Sequence, residues 1–201
     1  MSVLVGRKAP DFCVPAVLGN GEIVEEFHFA METKDKAAVV FFYPLDFTFV
    51  CPTELIAFDK RIQEFEKRNV KVIGVSVDSH YTHNAWRNTP IDKGGIGPVR
   101  YTLAADISHA VAKAYGIETP DGMVAYRATF LVNKSGTVVH QVVNDLPLGR
   151  NIDELIRMVD AMHFHETHGE VCPAGWKEGD QAMKDTPQGV ADYLAKNAGG
   201  L

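Results

Sequence analysis

The chain has 201 residues, 46% of them hydrophobic, with 20 Lys and Arg against 26 Asp and Glu and a formal net charge of -6. That apolar share supports a packed core and excludes a disordered chain, and the acidic balance argues against a nucleic-acid surface, which needs concentrated Lys and Arg. The longest apolar runs, such as residues 37–43, are too short to span a bilayer, and the N-terminus lacks the basic-then-apolar pattern of a secretory signal, so the expected location is the cytoplasm.

Cys13 lies in an N-terminal strand segment, APDFCVP (residues 9–15), and reads as a small buried residue. Residues 37–43 (AAVVFFY) predict a fully buried strand, and 44–48 a turn containing Pro44 and Asp46. Over residues 52–68, Leu55, Phe58, Ile62 and Phe65 recur at helical spacing. Residues 70–77 (VKVIGVSV) predict the next buried strand. Strand, helix and strand at this spacing make a βαβ unit, and hence an α/β fold with parallel strands and helices on the sheet faces. A short helix over 82–87, a strand over 99–103 and a helix over 108–115 follow, the last with Ser108 as N-cap. Two strands, 128–132 and 138–143, flank the hairpin signal Asn133-Lys134-Ser135-Gly136. A final core helix covers 151–164 with Ile152, Leu155, Ile156 and Val159 on one face. The composition then turns polar. The expected organisation is a domain of residues 1–168 and a tail of 169–201 that crosses the surface or docks on a partner.

Cys13, Cys51 and Cys172 are an odd, low count that suits no disulfide scaffold, and no C-x-x-C is present for a zinc ribbon or a local dithiol. Cys51 stands out because Pro52 follows it. Proline favours the first turn of a helix and pushes the residue before it out of helical geometry, which places Cys51 at the start of the 52–68 helix. Free backbone N–H groups and the helix dipole there favour a thiolate. The preceding strand delivers this turn to the carboxyl edge of the sheet, where open α/β folds carry their sites. By residue type alone, Cys51 is as compatible with packing as with chemistry, and its place at the helix start favours chemistry.

Acidity by itself is a weak device. Lowering a thiol from about 8.5 to about 6 raises its ionised fraction roughly thirtyfold at neutral pH, while lost nucleophilicity takes back roughly tenfold. A fast reaction with a peroxide needs donors that polarise the breaking O–O bond. Thr48, on the same loop, and an arginine from elsewhere are the candidates.

PLDFTFVCPTE (residues 44–54) resembles the peroxidatic loop of the typical two-cysteine peroxiredoxins, a group that includes the alkyl hydroperoxide reductase C component. RATFLV (127–132) and GEVCPAGW (169–176) extend the resemblance over nearly the whole chain. It implies a thioredoxin-like fold, a central mixed sheet flanked by helices, with a C-terminal extension. It also implies roles: Cys51 as peroxidatic nucleophile, Thr48 hydrogen-bonding peroxide and thiolate, Pro44 shielding Cys51 from water, Arg127 stabilising the thiolate and aligning the peroxide, Glu54 orienting an arginine, and Cys172 as resolving thiol. Read without the family, Arg127 is compatible with a surface charge, Thr48 with a turn residue and Glu54 with a capping acid.

The sulfenic acid left on Cys51 needs a second thiol, and Cys172 sits in irregular backbone before Pro173 and Gly175. Pairing within one chain or between chains is open on spacing. The resemblance implies an intersubunit disulfide in an antiparallel homodimer, and a ring of five dimers. Gly94-Gly95-Ile96-Gly97 resembles the loop of oxidation-sensitive members, whereas Tyr193-Leu194 stands where they carry Tyr-Phe, which predicts intermediate sensitivity. His163, His165 and His168 match no zinc spacing, and no metal is expected. No nucleotide fingerprint is present, so no flavin or nicotinamide cofactor is expected either. The expected electron donor is thioredoxin or a flavoprotein disulfide reductase. A holdase chaperone or redox relay is the alternative class of function.

Overall fold

The computed structural model describes residues 3–200, which fall into two compact units, one ending at Ile152 and one beginning at Asp153. The first unit is built on strands β1 (Cys13–Val17), β2 (Ile23–His28), β3 (Ala37–Phe42), β4 (Val70–Ser76), β5 (Thr102–Ala105), β6 (Arg127–Val132) and β7 (Val138–Asn144). They form one seven-stranded sheet in the order β2-β1-β5-β4-β3-β6-β7. β3 with β4 and β4 with β5 are parallel, and the other pairings are antiparallel, so the sheet is mixed. Its helices are α1 (Phe29–Glu32), α2 (Cys51–Lys60), α3 (Ile62–Lys67), α4 (His80–Arg87) and α5 (Ala110–Ala114).

β3 lies between two neighbours and is buried at all six positions, which is why its sequence is an unbroken apolar run. Phe42 on one side packs with Tyr115 and Phe130, and Phe41 on the other stacks on Phe58 of α2 at 4.1 Å between ring centroids. The expected helix over 52–68 is two helices. Arg61 leaves helical geometry (φ -108°, ψ 6°), and its N–H closes a tighter turn on Phe58 O at 3.1 Å. Leu55, Phe58, Ile62 and Phe65 are all buried regardless, so the spacing reported the apolar face but not the break.

Other boundaries shift for local reasons. The strand expected over 99–103 starts at Thr102, because Val99 N–H turns back to Gly97 O and the Arg100 N–H and guanidinium are held by Asp59. The helix expected from Ser108 starts at Ala110 after His109 in left-handed geometry (φ 60°). Ser108 Oγ accepts from Ala110 N–H at 3.4 Å, and the Asp106 carboxylate takes the next two, Val111 N–H at 3.1 Å and Ala112 N–H at 2.7 Å. β2 has only Phe27 buried and so carries no alternation to read. Cys13, expected to be buried, is exposed on β1, with Sγ 3.6 Å from His28 Nε2.

The second unit holds α6 (Ile152–His168), all but its first residue, and α7 (Pro187–Asn197). The last long helix thus groups with the tail. α7 is capped by Thr186, whose side chain accepts from Gly189 N–H at 3.0 Å. An isolated antiparallel bridge joins Val171 to Met183. Among the described residues, no helix is long and apolar enough to cross a membrane.

Candidate active site

The chain leaves β3 at the carboxyl edge of the parallel strands, and a short loop returns it to α2, of which Cys51 is the first residue. Val50 is the N-cap and offers no side-chain cap; Pro52 occupies the first turn. Cys51 is fully buried.

Arg127 reaches Cys51 because β6 runs antiparallel to β3. The pairing Phe41↔Thr129, carried two residues further, sets the first residue of β6 level with Tyr43, at the same sheet edge. There Arg127 Nη1 donates to Cys51 Sγ at 3.2 Å and to Glu54 Oε2 at 2.8 Å, while its Nε donates to Leu146 O at 2.6 Å. Glu54 lies one turn into α2 and accepts from a second arginine as well: Arg150 donates through its backbone N–H (3.0 Å), Nε (2.8 Å) and Nη2 (2.8 Å). Burial opposes ionisation of this carboxyl, but the hydrogen bonds and charge of Arg150, with the charge of Arg127, outweigh it and hold Glu54 below the usual carboxylate range. With Arg127 and Glu54 4% and 3% exposed, the surface-charge and capping readings both fall away. Arg150, which the sequence did not mark, also lies over the Phe41 ring at 5.1 Å.

Pro44 is buried and Thr48 is half-buried on the connecting loop. Thr48 Oγ1 donates to Leu45 O at 2.9 Å. Its proton is therefore turned into the loop, and the oxygen lone pairs are what it can offer a ligand. The loop is anchored by a residue inside the PLDFTFVCPTE segment that the sequence reading passed over. Asp46 is buried, accepts from Tyr43 Oη at 2.8 Å, and has Oδ2 2.7 Å from His83 Nδ1. Asp46 N–H donates in turn to Asp78 Oδ2 at 2.8 Å, and Ser76 Oγ donates to the same oxygen at 2.7 Å. Burial pushes the Asp46 carboxyl up, against the pull of His83. A signal was available: an Asp flanked by apolar residues in a buried turn needs partners.

Cys172 belongs to the second unit and is half-buried, its Sγ–H directed at Ala161 O at 3.6 Å. Burial pushes its thiol up, and the Arg157 charge works against that. Of the three histidines before it, His165 Nδ1 donates to Glu170 O at 2.9 Å and His168 Nδ1 to Phe164 O at 3.1 Å. Among the described residues, no three His, Cys, Asp or Glu side chains gather where they could hold a metal. A cleft of about 470 Å³ lined by Lys36, Val70, Arg100 and Thr102 lies at the amino ends of β3 and β4, the edge opposite Cys51, and holds none of these site residues.

Residues 5–141 match the AhpC/TSA family, and residues 161–196 match the C-terminal domain of 1-Cys peroxiredoxin. The chain is 53% identical over 196 residues to alkyl hydroperoxide reductase C of Helicobacter pylori, covering 98% of both chains, and 47% identical to peroxiredoxin-1 of Gekko japonicus, covering 96% of each. Among solved structures, reduced 2-Cys peroxiredoxin of Plasmodium vivax superposes with a TM-score of 0.93 at 45% identity, over 96% of this chain and 100% of that one. AhpC of Enterococcus faecalis gives a TM-score of 0.78 at 35% identity, over 86% and 100%. On this match of sequence and fold, the chain belongs to the AhpC/TSA family of two-cysteine peroxiredoxins, which reduce peroxides through a cysteine.

Proposed function

We propose that Cys51 is the peroxidatic nucleophile of this chain and Cys172 its resolving thiol. The observation that carries the first role is the Arg127 Nη1 hydrogen bond to Cys51 Sγ at 3.2 Å. A guanidinium bonded to the sulfur orients the nucleophile, and the same group is placed to donate to the oxygen that the sulfur attacks. The thiolate takes the near oxygen of the hydroperoxide, the O–O bond breaks, and the far oxygen leaves as hydroxide or alkoxide, which takes up a proton. Cys51 becomes a sulfenic acid. Arg127 is held for this task by Leu146 O and by Glu54, which Arg150 holds in turn. Thr48, with its proton committed to Leu45 O, accepts from the hydroperoxide O–H rather than donating to the thiolate. Pro44, buried on the same loop, shields Cys51 from water.

Cys172 then attacks the sulfenic sulfur, an S–S bond forms, and the hydroxyl leaves as water with the proton that Cys172 gives up. Disulfide geometry requires Cα atoms within about 7 Å, which a fully buried Cys51 reaches only when the first turn of α2 unwinds. The partner cysteine comes from the second subunit of an antiparallel homodimer. The edge position of β7, with Val142 exposed, supports pairing there. Exposed Phe47 and Phe49, at 51% and 94%, support a second contact that closes dimers into a ring of five. Thioredoxin or a flavoprotein disulfide reductase restores the dithiol, and the cytoplasm is the expected setting.

The test is peroxide consumption with each purified donor, repeated on Cys51→Ser and Cys172→Ser. Cys51→Ser should lose turnover, and Cys172→Ser should complete one turnover and stall as a sulfenic acid. A Cys51→Ser protein that keeps its rate would overturn the assignment.

A further inference from the structure

The residues around Cys172 share one face of α6. Arg157, Ala161, Phe164 and His168 follow at intervals of four, three and four, so they stack along the helix. The 172–176 segment lies along that row. Cys172 Sγ–H meets Ala161 O at 3.6 Å, the Trp176 ring packs on Phe164 at 4.9 Å between centroids, and Trp176 O accepts from Arg157 Nη1 at 2.8 Å. Trp176 is buried, and its Nε1 donates to Asp180 O at 3.0 Å, so the far end of the segment is fixed too.

Arg157 is itself oriented. Glu154 Oε2 and Oε1 take its Nε and Nη2, each at 2.7 Å, one turn back on α6. The fork leaves Nη1 aimed at the segment that carries the thiol, one helical turn from the carbonyl that faces Cys172.

We propose that Arg157 is the positioning residue of the second half of the cycle: it clamps the 172–176 segment on α6 and supplies the positive charge that makes Cys172 a competent nucleophile. The proposal rests on the reading of Cys172 as the resolving thiol. In the step concerned, Cys172 loses its proton and attacks the Cys51 sulfenic sulfur; the S–S bond forms, the S–O bond breaks, and the hydroxyl leaves as water. Burial of Cys172 works against the anion and holds the thiol above its ordinary value, and the Arg157 charge offsets part of that cost. Glu154 opposes it by pairing with the guanidinium, and His165 and His168 on the same helix are turned to the carbonyls of Glu170 and Phe164. The field at the sulfur is therefore that of a partly compensated arginine.

Two measurements test the assignment on the full-length protein. The first is the pH dependence of Cys172 alkylation by iodoacetamide in Cys51→Ser, with and without Arg157→Gln. The midpoint should move about half to one pH unit upward, and Arg157→Lys should restore most of it. The second is the rate of disulfide closure after a single pulse of peroxide in the otherwise native chain. In Arg157→Gln it should fall about three- to tenfold relative to sulfenic acid formation, with a matching rise in Cys51 sulfinic acid by mass spectrometry. An unmoved midpoint, or closure at the native rate or faster, would overturn the proposal. A Cys172→Ser protein that still closes a disulfide would instead remove the reading beneath it, and would leave the alkylation result unaffected.

Discussion

Glu54 offers the sharpest test of how the site is held. Its carboxylate is buried and takes one bond from Arg127 and three from Arg150, and the two guanidinium side chains are 4% and 3% exposed. Glu54→Gln keeps the volume and removes the charge. It leaves two buried cations facing an amide whose NH2 end repels them. Breaking a buried ion pair from one side costs about 3–5 kcal/mol, a large part of the 5–15 kcal/mol that holds an ordinary domain. Urea unfolding at fixed protein concentration should show that loss, the concentration being fixed because association adds to apparent stability. The loss should also depend on pH. The Glu54 carboxyl is held below its ordinary value in the fold, so its contribution is complete above the unfolded-state value and fades as pH falls through the folded one. The gap between native and variant protein should therefore narrow on acidification. Stopped-flow reaction with peroxide should slow as well, because Arg127 loses the partner that aims Nη1 at Cys51. A Glu54→Gln protein within about 1 kcal/mol of native stability at neutral pH would refute the claim that this carboxylate organises the two arginines.

Other outcomes follow from the same geometry. Arg127→Met should lower the second-order rate of Cys51 with peroxide about a hundredfold or more, the scale of losing one oriented transition-state donor, as read by stopped-flow fluorescence. Asp106→Ala should cost about 1–2 kcal/mol in thermal or urea unfolding, because it removes the acceptor of the Val111 and Ala112 N–H groups at the start of α5. Phe49→Asp should change subunit stability by less than about 0.5 kcal/mol, since the ring is exposed, yet should lower the assembly state in sedimentation velocity.

The legible parts of this molecule were those written in local pattern. The run of β3 and the Leu55, Phe58, Ile62, Phe65 spacing gave strand, helix and burial, and Pro52 gave the helix start that presents Cys51. Arg127 was legible through the RATFLV resemblance, not through its chemistry, because nothing local to a strand says which cysteine its first residue will face. That information lies in the antiparallel register of β6 on β3. Arg150 was invisible for the same reason: its meaning depends on Glu54, almost a hundred positions away. The Tyr43, Asp46, His83 network was half visible, since Asp46 sits inside the recognised motif but its partner comes from α4. β2 and α7 were missed because each buries a single large side chain, Phe27 or Tyr193, and one buried residue makes no period.

The contrast between the two ends of the first turns of α2 carries a mechanical consequence. At Val50 the helix has no side-chain cap, and Thr53 and Glu54 N–H share one carbonyl, that of Val50, at 3.0 and 3.4 Å. Four residues from Val50, Glu54 is tied to β6 through Arg127 and to the 150 region through Arg150. Before Glu54 the turn is held by the Thr53 hydroxyl on Val50 O at 2.6 Å and by Arg127 on Cys51 Sγ, against four charged hydrogen bonds at Glu54, so it should unwind as far as Thr53 and stop there. In the proposed cycle that motion would bring Cys51 to Cys172, and the stop would keep Arg127 and Glu54 in place for the next peroxide. Hydrogen exchange of the reduced protein should show it as a step: fast exchange for the amides bonded to Val50 and Cys51 carbonyls, and protection higher by about an order of magnitude or more beyond them. Uniform protection from Thr53 to Lys60 would mean that α2 opens as one piece, and Glu54 would lose its role as the stop.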